Sequence, residues 1–285
     1  GTFCFPPVLI GEFEPTIKEQ IENREYQLLE EKVIESDFDG ILVVVTKEGL
    51  VGIQTRDQKV ADEILHAITS SALLMGIPLH AHKFSELAGL SFELNTNKVR
   101  GSSWSESSLR MQLFDYVNKY NTFHRYRTRL KISVEDFHLV LEEAKKNWKA
   151  RIPLDNLKLI AGAFTYLDNN EYSQSFILSW TIIEKYLYEL WNKKLQSAKI
   201  SNSRIRTLTS WDSFRVAEIL HIDKIISDDD YHDIKNLREL RNNLFHDGQE
   251  ITQKQAKICF DLAYGIISSQ VGISSKIMVK KIFTI

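Results

Sequence analysis

The chain has 285 residues, of which 43% are hydrophobic and 26% are charged, and its formal net charge is -2. This is the composition of an ordinary globular protein, and the length suits one large domain or two ordinary ones. A net charge so close to zero excludes a generally basic nucleic-acid-binding protein. Any contact with nucleic acid would have to come from local patches.

The sequence predicts a cytoplasmic protein that does not enter a membrane. Its longest aliphatic run, Ile41-Leu42-Val43-Val44-Val45, is far too short to cross a bilayer, and Gly1-Thr2-Phe3-Cys4 lacks the features of a signal peptide. Cys4 and Cys259 lie far apart and have no Cys or His near them at metal-ligand spacing. This spacing argues against a zinc site and against a disulfide framework, and no cofactor or metal is expected.

The first hundred residues predict an α+β region. Apolar stretches typical of strands cover residues 3–10, 26–34, 40–45 and 50–54, and Lys47-Glu48-Gly49 is typical of a hairpin turn between the last two. Residues 57–75 have apolar positions at helical spacing, and residues 84–94, which follow Pro78, indicate extended chain.

From about residue 106 the pattern is helical, apart from an ambiguous stretch at residues 123–132. Five helices are predicted, at about residues 134–150, 154–167, 173–194, 227–247 and 252–269. Ser133, Ser227 and Thr252 are expected to cap three of them, and Gly248 should end the fourth in a left-handed conformation. The predicted fold class is an α+β N-terminal domain (1–105), a helical connector (106–150) and an all-α helical bundle (151–285).

The strongest functional clue is the run Leu240-Arg241-Asn242-Asn243-Leu244-Phe245-His246-Asp247-Gly248 near the end of the fourth helix. The arginine keeps its positive charge, and the side-chain amide of Asn242 can orient a substrate. Histidine is the side chain that ordinarily changes charge near neutral pH. Together these groups can cleave an RNA phosphodiester without a metal.

Arg241 falls within the apolar stripe of this helix, between Ile234 and Leu237 on the helical wheel. A permanent charge in that position has to be paired. The partner is either a substrate or an acid of a neighbouring helix, for which Glu184 is the obvious candidate. Both interpretations can hold together.

His246 comes five residues after Arg241, so on one regular helix the two side chains point about 140° apart. Either the chain leaves helical geometry before Gly248, or the same helix of a second subunit completes the site. Asn242 and His246 share a face of the helix, with Arg238 one turn earlier. Taken alone, a histidine at a helix end is more often a cap that interacts with the helix dipole.

The motif run, together with Leu237-Arg238-Glu239 before it, resembles the signature of HEPN domains, in particular the Apea-like branch. That pattern is Arg, a polar residue, a short spacer and His, with Asn242 as the polar residue here. The preceding helix is similar too, since Ser179-Trp180-Thr181-Ile182-Ile183-Glu184 places an aromatic and an acid where the family usually has them. The resemblance covers about residues 150–270 and does not extend to residues 1–105.

The resemblance implies a helical bundle that forms a homodimer through the motif helix, and often a metal-independent endoribonuclease. In that reading His246 is the general base or acid for attack of the ribose 2′-OH, Arg241 stabilises the transition state and Asn242 orients the substrate. A role as a toxin or antiphage effector follows by analogy, with the N-terminal domain contacting a regulatory partner or ligand. Many members of the family are non-catalytic RNA-binding or interaction modules, which is the alternative hypothesis.

Two basic stretches are candidates for holding RNA. The first has no acid between Glu189 and Asp212 and is predicted to be a Ser-rich loop; its basic residues are Lys193, Lys194, Lys199, Arg204 and Arg206. The second, from Arg125 to Lys131, would form a basic ladder if the chain were extended there. A solvated face is the alternative for both, and it is favoured for the second.

Asp228-Asp229-Asp230 is interpreted as an acidic run at a helix start. Consecutive acids point in different directions, so a metal site is not predicted there.

Overall fold

The structure is a computed structural model and describes residues 1–11, 32–93, 98–101, 128–149, 154–198, 200–273, 277 and 280–283. An α+β region comes first and an all-helical region follows it, as predicted. The chain divides into two compact units, unit 1 with residues 1–161 and 273–285, and unit 2 with residues 162–272. These limits differ from the predicted boundaries at 105 and 150.

Unit 1 contains a four-stranded antiparallel sheet. The first five strands among the described residues are β1 (Thr2–Phe3), β2 (Val8–Ile10), β3 (Lys32–Phe38), β4 (Ile41–Thr46) and β5 (Leu50–Ile53). Four of them form the sheet in the order β1-β5-β4-β3. The hairpin turn at residues 47–49 is confirmed: Gly49 has a φ of 74°, and its N–H donates to the Thr46 carbonyl at 3.0 Å.

The single strand predicted for residues 3–10 is wrong, because this segment is divided between two sheets. Pro6 and Pro7 stand between β1 and β2, and proline has no N–H to continue a ladder. The strand predicted at residues 26–34 is observed only from Lys32 onward, since residues 26–31 lie outside the described chain.

A second sheet joins distant parts of the sequence. After the hairpin of β6 (Leu90–Glu93) and β7 (Lys98–Gly101), the ambiguous stretch ends in β8 (Thr128–Ile132). β8 lies between β2, to which it is parallel, and the antiparallel β9 (Lys280–Phe283). The chain is therefore extended from Thr128, whereas Arg125 and Arg127 lie outside the described residues.

The core of unit 1 lies around helix α1 (Gln58–Leu74), which is capped by the carboxylate of Asp57. Helix α2 (Val134–Lys149) packs against α1, and the side chain of Asn147 donates to the Ser71 hydroxyl at 2.9 Å. The fully buried rings of Phe38 and Phe137 belong to the same cluster. The segment predicted as a connector therefore contributes α2 to the core of unit 1.

All of the regular secondary structure in the described residues of unit 2 is helical. Helix α3 (Leu154–Asp168) begins in unit 1 and continues into unit 2. The helices that follow it are α4 (Tyr172–Ser197), α5 (Asn202–Thr209), α6 (Ser213–Ile222), α7 (Asp228–Asp247) and α8 (Gln253–Val271). α4 packs against α6, α7 and α8. Its apolar face includes Phe176, Trp180 and Ile183, all buried as predicted.

The loop predicted between residues 195 and 212 is wrong, because α5 occupies most of it and α6 follows. Ser201 caps α5 by accepting from the N–H of Arg204, and Asp212 caps α6 by accepting from the N–H groups of Phe214 and Arg215. The indole of Trp191 donates to the Leu208 carbonyl at 2.9 Å, which attaches α5 to α4. Serine in this segment therefore starts a helix.

The predicted caps of α7 and α8 are confirmed. Ser227 accepts from the N–H of Asp230 at 3.1 Å, and Gly248 ends α7 with a φ of 67°. Thr252 and Gln255 form the capping box that opens α8. Among the described residues, no helix combines the length and apolar character needed to cross a bilayer.

Candidate functional site

The motif occupies the last two turns of α7, which packs against α4 and α6. Ile234 and Leu237 are buried and hold the middle of the helix in unit 2, as predicted. Leu240 and Leu244 are only half-buried, so the apolar stripe becomes more accessible toward the C-terminal end. The motif side chains are therefore presented at an accessible helix end.

Arg241 makes its contacts within its own helix. Its Nη1 donates to Oδ1 of Asn242 at 3.2 Å, and its Cζ lies 5.1 Å from the centroid of the Phe245 ring. The Nε is buried and has no hydrogen-bond partner among the described residues. The guanidinium is therefore oriented by its neighbours, and one of its donors stays unused.

The contacts found for Arg241 are those with Asn242 and Phe245, and its pairing with Glu184 stays a prediction. Phe245 follows Arg241 by four residues and so shares its face of the helix. The cation lies over that ring, which satisfies part of its charge locally. Glu184 is half-buried on α4.

His246 is exposed in the last turn of α7, and the helix is unbroken through Asp247. The chain does not leave helical geometry before Gly248. A local break in the helix therefore does not bring Arg241 and His246 together. The two side chains still point about 140° apart. Arg238 lies over the ring of Phe214 on α6, with its Cζ 4.5 Å from the centroid.

The first basic stretch is distributed over two helices. Lys193 and Lys194 lie near the end of α4, and Lys194 pairs with Asp223 at 2.5 Å. Arg204 and Arg206 are exposed on α5, as is Lys193 on α4. Lys199 lies outside the described residues.

A second constellation, which was not predicted, lies in unit 1 and consists of Asp62, His66, His82 and Lys158. Nε2 of His82 lies 3.1 Å and Nε2 of His66 lies 3.5 Å from the same Oδ1 of Asp62. Nζ of Lys158 donates to the other carboxylate oxygen, Oδ2, at 2.6 Å. The two imidazole rings have centroids 4.1 Å apart.

Burial and charge set the protonation of this constellation. The hydrogen bond from His82 holds the pKa of the Asp62 carboxyl well below its usual range, with further help from Lys158. Burial, followed by repulsion from His82, lowers the pKa of His66 to about 3. At neutral pH Asp62 is therefore ionised and the imidazole of His66 is neutral, with a lone pair available on one nitrogen.

Part of this constellation has a signal in the sequence. Asp62 and His66 are four residues apart on the predicted helix, which places a carboxylate and an imidazole on one face. His82 comes sixteen residues later in a segment without helical pattern, so only the fold brings it to them. Asp62, His66 and His82 each offer one ligand atom, all within 4.8 Å of one another, and this set could hold a metal ion.

The chain matches no protein-family model, no curated protein and no solved structure. Its function is therefore inferred from its own residues and their geometry.

Proposed function

We propose that this protein is a metal-independent endoribonuclease of the HEPN type whose site is composed of residues from two copies of the chain. The observation that carries the proposal is the unbroken helix α7, which presents an exposed His246 at its end but keeps Arg241 on another face. One helix cannot direct both side chains at one phosphate. Two α7 helices around a two-fold axis can do so, because each supplies what the other lacks.

The proposed reaction is attack of the ribose 2′-oxygen on the adjacent phosphorus. His246 of one copy takes the 2′-OH proton as general base, the P–O5′ bond breaks, and an imidazolium or water delivers a proton to the leaving 5′-oxygen. Arg241 stabilises the charge that develops on the phosphoryl oxygens, and Asn242 orients the group it contacts. The products are a 2′,3′-cyclic phosphate and a 5′-hydroxyl end.

The contacts of Arg241 suit this role. Asn242 and Phe245 limit the positions of its guanidinium, while the unused Nε donor is compatible with a further acceptor. A positioned arginine loses less side-chain entropy when it binds an anion. The exposed cations Lys193, Arg204 and Arg206 offer contacts to the RNA backbone.

The proposal extends to a role in toxin or antiphage defence, which rests on the resemblance to HEPN domains alone. In that role unit 1 would sense a regulatory partner or ligand. Unit 1 would then activate the nuclease or present the RNA substrate to it.

The first test is incubation of the purified protein with mixed RNA in excess EDTA, beside His246→Ala. Wild type should yield fragments with 2′,3′-cyclic phosphate ends, and the variant should yield none while keeping its circular dichroism spectrum and melting temperature. Candidate activators, such as phage-infected cell extract passed through a small-pore filter, are added in a parallel series. Absence of cleavage by folded wild type in both series would contradict the proposal.

The composite site has a sharper test, which is the mixture of Arg241→Ala with His246→Ala. Each variant alone lacks one residue at every site. In a mixed dimer, one site loses both residues and the other keeps both. Random exchange makes half of the dimers mixed, so about one quarter of the wild-type activity should return. If each site were built from a single chain, mixing would restore nothing.

A second candidate function is a non-catalytic RNA-binding or dimerisation module. It is favoured by the contacts of Arg241 inside its own helix and by Phe245, which is 56% exposed beside the motif. An exposed aromatic ring suits stacking on a base or packing in an interface. RNA binding without cleavage, reduced by Phe245→Ala and unchanged in His246→Ala, would favour this candidate over the nuclease.

A further inference from the structure

The carboxylate of Asp62 and the imidazoles of His66 and His82 converge in a way that hydrogen bonding explains only in part. The 3.5 Å separation between Nε2 of His66 and Oδ1 of Asp62 exceeds a normal N–H···O hydrogen bond. The Nδ1 atoms of both histidines are buried and have no hydrogen-bond partner among the described residues. Two imidazoles are thus placed side by side, 9% and 7% exposed, with fewer hydrogen bonds than they can make.

Two of the spacings among the three donor atoms are close to those of a metal coordination shell, and all three atoms lie within 4.8 Å of one another. In a tetrahedral site with bonds of roughly 2.0–2.2 Å, neighbouring ligand atoms lie roughly 3.3–3.6 Å apart. The two distances from Oδ1 of Asp62 to the histidine nitrogens, 3.1 and 3.5 Å, lie close to that edge length.

We infer that Asp62, His66 and His82 form a binding site for a divalent transition-metal ion of the zinc class in unit 1. Two imidazoles and one carboxylate are a donor set that suits zinc and its neighbours, whereas calcium and magnesium prefer oxygen ligands. Three protein ligands leave a fourth position for water or another small ligand. The site is in unit 1, and the inference does not depend on the proposed nuclease of unit 2.

The groups around the three ligands set the affinity for a metal ion that we expect. Lys158 holds Oδ2 of Asp62 and so fixes the carboxylate with Oδ1 toward the imidazoles. The same ammonium repels a dication and leaves only one carboxylate oxygen for it. We therefore expect micromolar rather than nanomolar affinity for Zn²⁺, and weaker binding of Mg²⁺ or Ca²⁺.

The alternative is a purely structural cluster, in which Asp62 is stabilised by Lys158 and His82 and no ion binds. In that case the two histidines fill space in the core, and Nε2 of His66 lies 3.5 Å from Oδ1 of Asp62 without a normal hydrogen bond. Zinc titration separates the two possibilities because only a coordination site binds one ion per chain with a defined geometry.

The experiment uses the full chain without an affinity tag, freed of metal with EDTA and then of EDTA. Isothermal titration with ZnCl₂ should give one ion per chain, and Co²⁺ should produce the visible absorption bands of a low-coordinate nitrogen and oxygen site. His66→Gln, His82→Gln and Asp62→Asn should each weaken Zn²⁺ binding at least tenfold. Their circular dichroism spectra establish that they are folded.

The matched control is His221→Gln. His221 also contacts a carboxylate, with its Nε2 2.8 Å from Oδ1 of Asp228, but in unit 2. This variant should bind Zn²⁺ like wild type. The inference is overturned if folded wild type binds no ion stoichiometrically, or if His221→Gln reduces binding as much as His66→Gln. Absence of stoichiometric binding by the wild type overturns the inference even if the unit 1 variants do not fold.

Discussion

Replacement of His66 by glutamine should remove much of the acid sensitivity of unit 1 between pH 7 and pH 5. In the folded protein, burial lowers the pKa of His66 from 6.5 to about 3, whereas the unfolded chain takes up its proton near 6.5. Between these values the unfolded state binds the extra proton. The stabilisation is therefore complete above pH 6.5 and is lost as the pH falls.

The magnitude follows from one proton. Within this window the free energy of unfolding changes by at most about 1.4 kcal/mol per pH unit, and between pH 7 and pH 5 it falls by about 2 kcal/mol. Glutamine binds no proton in the folded or the unfolded state, so the His66→Gln variant should not show this fall in the free energy of unfolding. The lowered pKa of Asp62 contributes only as the pH falls below 3.8, so it does not interfere.

The assay is urea unfolding in EDTA, measured by pulsed hydrogen exchange and mass spectrometry on peptides from α1. Samples are equilibrated at pH 7 or pH 5 and labelled at one fixed pH, so that the intrinsic exchange rate is the same. Peptides from α4 report unit 2 and serve as an internal reference. Equal losses of stability in wild type and His66→Gln would refute the reasoning, because His66 would then take up its proton in the folded protein.

Two further predictions concern helix ends and buried thiols. Gly248→Ala should destabilise α7 by about 1 kcal/mol, because Gly248 has a φ of 67°, which strains an alanine even though its Cβ would meet no atom within 4 Å. Gly265 lies inside α8, where a Cβ is equally free of contacts, so Gly265→Ala should stabilise the helix by about 0.5–1 kcal/mol. Urea unfolding of unit 2 measures both, and the same sign for both would contradict the prediction. Cys4 and Cys259 are buried, and burial raises the pKa of both thiols, that of Cys4 to about 12. Iodoacetamide at pH 8 should label neither in the native protein and both in urea, and rapid native labelling would show that these thiols are accessible.

Local signals in the sequence predicted much of unit 2. Ser227, Gly248 and Thr252 act on backbone groups within a few residues, so their capping roles do not depend on the rest of the fold. The apolar residues of α4 recur at helical spacing over a long stretch, and this pattern likewise predicts the helix from the local sequence alone. α5 and α6 were missed because short helices lack a clear period and their serines also suit loops.

Contacts between distant residues were not predictable in the same way. β8 is extended because β2 and β9 supply hydrogen bonds on its two sides, and neither strand is near it in sequence. His82 joins Asp62 only after the chain has turned at the end of α1. The contact of Arg241 with the Phe245 ring was not predicted, because it depends on the conformations of the two side chains.

The pairing of β9 with β8 has a consequence for the order of folding. Unit 2 is complete once residue 272 has been synthesised, but the second sheet of unit 1 needs residues 280–283 to supply its third strand. During translation the helical unit is complete first, and one side of β8 stays unpaired until residues 280–283 have been synthesised. Removal of residues 280–283 would leave that strand edge as a template for another chain, so truncation should favour self-association.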